Sequence, residues 1–105
     1  MYKSKTSSSM FFIKKMLYSF ITFLKESDVK FSKMALDLSD SKILAWLELF
    51  DDDEKSEDNL IISEAKVNAE FEKYGFKIST TYVEESDKLN IPPHYSMLNN
   101  AILNP

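Results

Sequence analysis

Between Met10 and Leu24 the chain reads MFFIKKMLYSFITFL, and around this run Lys15, Ser19, Thr22 and Glu26 follow one another at a 4-3-4 spacing. Phe11, Phe12, Ile13, Met16, Leu17, Phe20, Ile21, Phe23 and Leu24 fill most of the remaining circumference. That pattern predicts a helix with one narrow polar stripe, and a helix apolar over so wide an arc must be covered on several sides. Other helices of the chain, a second copy or another protein could supply the cover, because large bare apolar patches are rare on monomers.

Val29 to Leu38 is ambiguous. Val29 and Phe31 alternate as in a strand, whereas Met34, Ala35 and Leu38 recur as in a helix, and a short helix is the reading adopted. Ser39 and Asp40 then offer N-cap oxygens to a second helix carrying Ile43, Leu44, Trp46, Leu47 and Phe50 on one side. The acidic connection Asp51–Asp58 follows, its carboxylates placed to favour the positive end of the next helix. That helix is predicted over 56–74, with Leu60, Val67, Phe71 and Tyr74 facing inward. Gly75, the one glycine, stands where a left-handed C′ residue would end it, with Phe76 folding back on the last turn.

Phe76 to Val83 alternates, with β-branched residues enriched, so a strand is the local reading and a helix with Ile78 and Tyr82 on one side is the alternative. A strand here would pair with 29–32, with 89–91 or with a second copy. Pro92 and Pro93 end regular structure, and a last short helix is predicted over 95–103. These elements together predict one mainly α domain over 1–105. It is a small bundle of about four helices with one short extended segment near residues 76–83, and residues 1–8 are expected to be disordered.

Composition narrows the chemistry. At 44% hydrophobic and 29% charged, the chain has an ordinary globular balance. Without cysteine it has no disulfides, thiolate nucleophiles or cysteine metal sites, which suits a cytoplasmic protein. All thirteen basic residues are lysines, so no guanidinium fork is available for phosphate or carboxylate. Residues 1–33 hold seven lysines against two acids, and the rest holds six lysines against fifteen. The division fits either a basic leader on an acidic domain or two oppositely charged faces of one fold. As a targeting segment the N-terminus lacks a cleavage pattern after Leu24 and the arginines of a transit peptide, so a place in the core is the reading adopted.

No constellation passes for a catalytic or metal centre. Against the EF-hand template, a loop starting at Asp51 puts Lys55 at the fifth ligand position, and one starting at Asp53 puts Asp58 where the glycine belongs. His94, the sole histidine, has no nucleophile-elbow glycines and no second histidine for zinc. One glycine makes neither a Walker loop nor a dinucleotide fingerprint, and the acidic bulk opposes direct nucleic-acid binding. No catalytic residue, cofactor or metal is therefore expected.

What remains is the anionic exterior. The sequence points to a non-catalytic protein-binding module, an inhibitor, antidote or adaptor. It would dock an acidic helical surface of Glu48, Asp51, Asp52, Asp53, Glu54, Glu57, Asp58 and Glu64 on a larger enzyme or another basic surface. Trp46, Tyr74 and Tyr82 are its candidate aromatic anchors, with core packing the competing role of Trp46. A homodimer through the N-terminal helix is compatible with this reading. The alternative is a peripheral membrane protein anchored in plane by the amphipathic segment 11–24.

Overall fold

The computed structural model describes residues 2–97, with side chains from Met10 to Ser96. A long helix α1 (Tyr2–Glu26), which begins within the stretch expected to be disordered, precedes the hairpin β1 (Phe31–Leu38) and β2 (Lys42–Leu49). Helix α2 (Glu54–Phe71), β3 (Lys77–Glu84) and the two-residue β4 (Ser96–Met97) follow. The sheet order is β3-β2-β1-β4, with β2 antiparallel to β1 and parallel to β3. Among the described residues no helix is long and apolar enough to cross a membrane.

This is an α+β fold, and it overturns the expected all-α bundle of four helices. The segments 29–38 and 43–50, both read as helices, are the two strands of the hairpin. The apolar run in β2 misleads because the strand is buried on both faces: Ile43, Ala45, Leu47 and Leu49 point to the helices, while Trp46 and Glu48 on the opposite face are also buried. A strand covered on both sides loses its alternation, and an apolar run then matches helical spacing equally well. The polar pair Ser39–Asp40, read as an N-cap, makes the hairpin turn instead. There the Ser39 amide donates to the Lys42 carbonyl at 2.9 Å, using residues that suit turns and caps alike. The extended segment near 76–83 is β3, and its ladder partner is β2 rather than 29–32 or 89–91. Of the helix predicted over 95–103, Tyr95 is in no regular element, Ser96–Met97 form β4, and residues 98–103 lie outside the described residues.

One apolar core fills the space between the helices and a single face of the sheet. From α1 it takes Ile13, Met16, Phe20 and Leu24, and from α2 Leu60, Val67 and Phe71, each set spaced so that one stripe faces inward. Met34 and Leu36 from β1, Ile43, Ala45, Leu47 and Leu49 from β2, and Ile78 from β3 close it from below. Ser63 is also buried in α2, and its hydroxyl has no hydrogen-bond partner. The opposite face carries Trp46, only 4% exposed, beside Ala35 at its register position. The segment 88–95, with Ile91, Pro92 and Tyr95 half-buried, runs from β3 at one edge to β4 at the other. It passes near Asp37: burial, and then the Asp37 carboxylate, push the Tyr95 hydroxyl above its ordinary pKa.

Both helices stop by the same device. After α1 the Val29 amide reaches back to the Leu24 carbonyl (2.9 Å) and the Asp28 amide to Lys25 (3.1 Å), with Asp28 left-handed at φ 58°. After a last 3-10 turn, Glu72–Tyr74, the Phe76 amide reaches Phe71 (3.3 Å) and the Gly75 amide reaches Glu72 (2.9 Å), with Gly75 at φ 85°. These are the paired bonds of the Schellman motif, and Val29 and Phe76 at the C″ positions are both buried. The turn after α1 is then latched to α2. The Lys30 amide donates to Ser56 Oγ (2.9 Å), and Asn59 Nδ2 donates to the Ser27 carbonyl (3.1 Å).

A Cβ at Gly75 would meet nothing within 4 Å, so its constraint is conformational alone. Gly75→Val is expected to lower stability by about 1–2 kcal/mol or somewhat more, the cost of a left-handed residue with a branched side chain, whereas Gly75→Asn should lose clearly less. Urea midpoints of the two variants beside the parent measure the difference; equal midpoints for Val and Asn would refute the backbone explanation.

Candidate protein-binding surface

The parallel pairing of β2 with β3 brings two acidic stretches together. Leu49 of β2 lies opposite Glu84 of β3, so the turn leaving β2 (Asp51, Asp52, Asp53) stands beside the 3-10 turn leaving β3 (Glu85–Asp87). The first turns of α2 add Glu54, Glu57 and Asp58. Nine acids thus gather at the carboxyl ends of the parallel strands, against Lys55 and Lys88 within the same segments. Among the described residues the one ion pair joins Lys30 to Asp28 at 3.8 Å, and no acid of this cluster takes part in one.

Hydrogen bonds knit the cluster. Asp51 Oδ1 accepts from the Ser86 amide at 2.9 Å, which ties the two acidic turns to each other. Asp53 caps α2: its carboxylate accepts from the Ser56 amide (3.1 Å) and from Ser56 Oγ (2.7 Å). The Ser56 hydroxyl and then its amide hold the Asp53 pKa below 3.8, with smaller help from Lys30 and Lys55. Glu84 is displaced the other way, above 4.5, first by partial burial and then by the Asp52 and Asp51 carboxylates, with Glu57 adding to them. Tyr82 lies among the same charges; its hydroxyl donates to Glu57 Oε1 at 3.2 Å, and its pKa is raised by burial and then by Glu57.

The eight acids singled out from the sequence therefore divide. Asp51, Asp52, Glu54 and Asp58 are exposed in the cluster, and Asp53 and Glu57 are half-exposed within it. Glu48 is not part of this surface. It is 5% exposed on the helix-free face of β2, where it accepts a 2.6 Å hydrogen bond from Ser32 Oγ. Glu64 is likewise committed internally, accepting from the Thr80 amide (2.7 Å) and from the Thr80 hydroxyl. The sequence reading left out Glu84, Glu85 and Asp87, whose run Glu84-Glu85-Ser86-Asp87 was visible as a second acidic stretch but had no place until β3 was set beside β2. Trp46 packs inside, while Tyr74 and Tyr82 are exposed.

Glu64 belongs to a second structural device. β3 is an outer strand, and an open edge invites pairing with another chain. Asn68, one helical turn beyond Glu64 on α2, accepts from the Ile78 amide (2.8 Å) and donates to the Ile78 carbonyl (2.9 Å), as a neighbouring strand would. Asp87 Oδ2 takes the Glu84 amide at 2.9 Å. Side chains thus occupy the backbone edge of β3 at residues 78, 80 and 84. Elsewhere, His94 is exposed against Tyr95, and the described residues contain no group of three or more histidine or acidic side chains placed to hold a metal ion.

Two outcomes follow from this geometry. Asn68→Ala should lower stability by about 1–2 kcal/mol and raise light scattering near the unfolding midpoint, because two backbone groups of an edge strand lose their partner. Unchanged scattering and midpoint would remove the edge-closing role. Glu84 has a raised pKa in the fold, so its favourable contribution is present in acid and lost as pH rises through that value. Glu84→Gln should accordingly raise the urea midpoint at neutral pH, with the gain fading as pH falls through the raised value toward 4.5.

In comparisons with known proteins, the chain matches no family model, no curated protein and no solved structure.

Proposed function

We propose that this chain is a non-catalytic protein-binding module whose acidic end docks on a basic surface of a larger protein, such as an enzyme that it inhibits or regulates. The observation that carries the reading is the gathering of nine carboxylates where β2 and β3 end side by side, tied by the Asp51–Ser86 hydrogen bond, with none of them in an ion pair among the described residues. Carboxylates held close together raise the energy of the free protein, and a lysine- or arginine-rich partner would relieve it. Hydrogen bonds fix the turns before any partner arrives, which reduces the ordering cost of binding. Tyr82, 36% exposed and tethered to Glu57, is a pre-positioned aromatic anchor of the kind that dominates interface energetics.

The membrane alternative draws less support from the same structure. Ile13, Met16, Phe20 and Leu24, the heart of the segment 11–24, are in the core, so an in-plane anchor would have to rely on a few outer side chains such as Phe11 and Tyr18. Catalysis by paired carboxylates would require a water-poor cleft, and the acidic cluster is an open surface.

Reversal of Glu54, Asp58 and Glu85 to lysine is the direct test, since all three are exposed and carry no hydrogen bond that holds the fold. Affinity purification with the parent chain should recover a specific basic protein, its binding should weaken as salt rises, and the triple variant should bind at least about tenfold more weakly. Reversal of Lys66 and Lys73, away from the cluster, should leave binding intact. Failure to recover a specific partner, or binding that neither salt nor the triple reversal alters, would refute the proposal.

A further inference from the structure

The core uses only part of the apolar surface of α1. On the flank toward the end of β1 the helix keeps a groove of about 690 Å³, with walls of Met10, Ile13, Leu17, Ile21 and, from β1, Leu38. Its lining follows one helix from Met10 to Glu26, about 24 Å, so the groove is drawn out along α1 and suits a long, thin occupant. Tyr18, 65% exposed, and Thr22 are its uncharged polar residues. The volume lies in the range of small-molecule sites, which bury an apolar body and orient it with a few polar groups.

Three charged side chains border the groove, Lys14, Lys25 and Glu26, all exposed and none in an ion pair among the described residues. Lys14 and Lys25 stand eleven positions apart, three turns and about 16 Å, and therefore share one stripe of the helix. Glu26 is displaced from that stripe by about a third of a turn. The two lysines disfavour a second copy as the occupant. An antiparallel two-fold mate centred on the stripe sets Lys14 against Lys25 at both ends, and a parallel one sets each lysine against itself. An apolar chain with a single anionic head meets no such conflict. Its head belongs at Lys14, because no acid precedes Glu26 in the sequence, whereas Glu26 offsets the charge of its neighbour Lys25. Of the acids beside Leu38, Asp37 is turned toward Tyr95 and Asp40 is exposed in the hairpin turn, and neither lines the groove.

We propose that the α1 groove binds a free long-chain fatty acid, with the hydrocarbon along Leu17 and Ile21 and the carboxylate at Lys14. The acidic cluster on β2, β3 and α2 is no part of this groove, so the inference stands independently of the binding partner proposed above.

Isothermal titration of the full chain with fatty acids, kept below micelle formation, tests it. The parent should take up one laurate per chain, and affinity should rise by up to about fourfold for each methylene added from octanoate to laurate. Decanol, which lacks the charge, should bind about fivefold more weakly than decanoate. Lys14→Glu should weaken laurate binding about tenfold, Lys25→Glu clearly less, Lys66→Glu, outside the groove, not at all, and Leu38→Asp should abolish it. All four positions are exposed, so circular dichroism and thermal unfolding should find the variants folded. A parent chain that takes up no laurate would overturn the proposal, as would equal losses on Lys14→Glu and Lys66→Glu. A parent that sediments as a dimer and dissociates on Tyr18→Glu would assign the groove to a second copy and overturn it. Flotation with phosphatidylglycerol vesicles without saturable uptake of free laurate would assign it to a membrane surface and overturn it equally.

Discussion

Everything in this fold is arranged around β2, a strand hydrogen-bonded on both edges and covered on both faces. Its inward residues Ile43, Ala45, Leu47 and Leu49 make the floor on which both helices rest, and its outward Trp46 needs cover on the far side. The two edges are satisfied by very different routes. β1 arrives through a tight turn, with Leu38 opposite Ile43, whereas β3 arrives from the far end of α2, with Ser79 opposite Leu44. A parallel neighbour requires a crossover, and that crossover carries the helix that roofs the core.

The same topology creates the acidic surface. Parallel strands end at the same side of a sheet, so whatever follows β2 and β3 must share one neighbourhood. Here both continuations are rich in carboxylates, and hydrogen bonds from Ser56 and Ser86 fix them where mutual repulsion would otherwise spread them apart. Opposite pKa displacements record the two environments. Asp53 is stabilised as an anion by its capping bonds, while Glu84, the last residue of β3, is held back from ionising by partial burial and then by its acidic neighbours.

Legibility in the sequence tracked the locality of the interactions. The body of α2, its acidic start and its stop at Gly75 depend on residues within a turn or two, and the spacing of Leu60, Val67 and Phe71 made them readable. The hairpin was not readable in this way, because Trp46 and Leu44 interrupt the alternation of β2 and because Ser39–Asp40 suits a cap as well as a turn. Six of the nine acids of the candidate surface were legible for the same reason. Asp51 to Asp58 is one visible acidic run, but its junction with Glu84–Asp87 depends on the register of two strands separated by a helix. Glu48 and Glu64 were assigned to the outside because a carboxylate ordinarily belongs there. Their partners, Ser32 and Thr80, lie sixteen residues away in each case and leave no local trace.

The side chains that close the edge of β3 ride on α2, the same segment that delivers β3 to the sheet. Protection and vulnerability therefore come and go together. Whenever thermal fluctuation lifts the middle of α2, Asn68 and Glu64 leave with it, and a strand with unpaired amides is bared at the moment its roof opens. A rare, local opening of one helix, rather than global unfolding, thus becomes the natural gateway to misassembly for this protein, and the lifetime of that opening sets how often it is used.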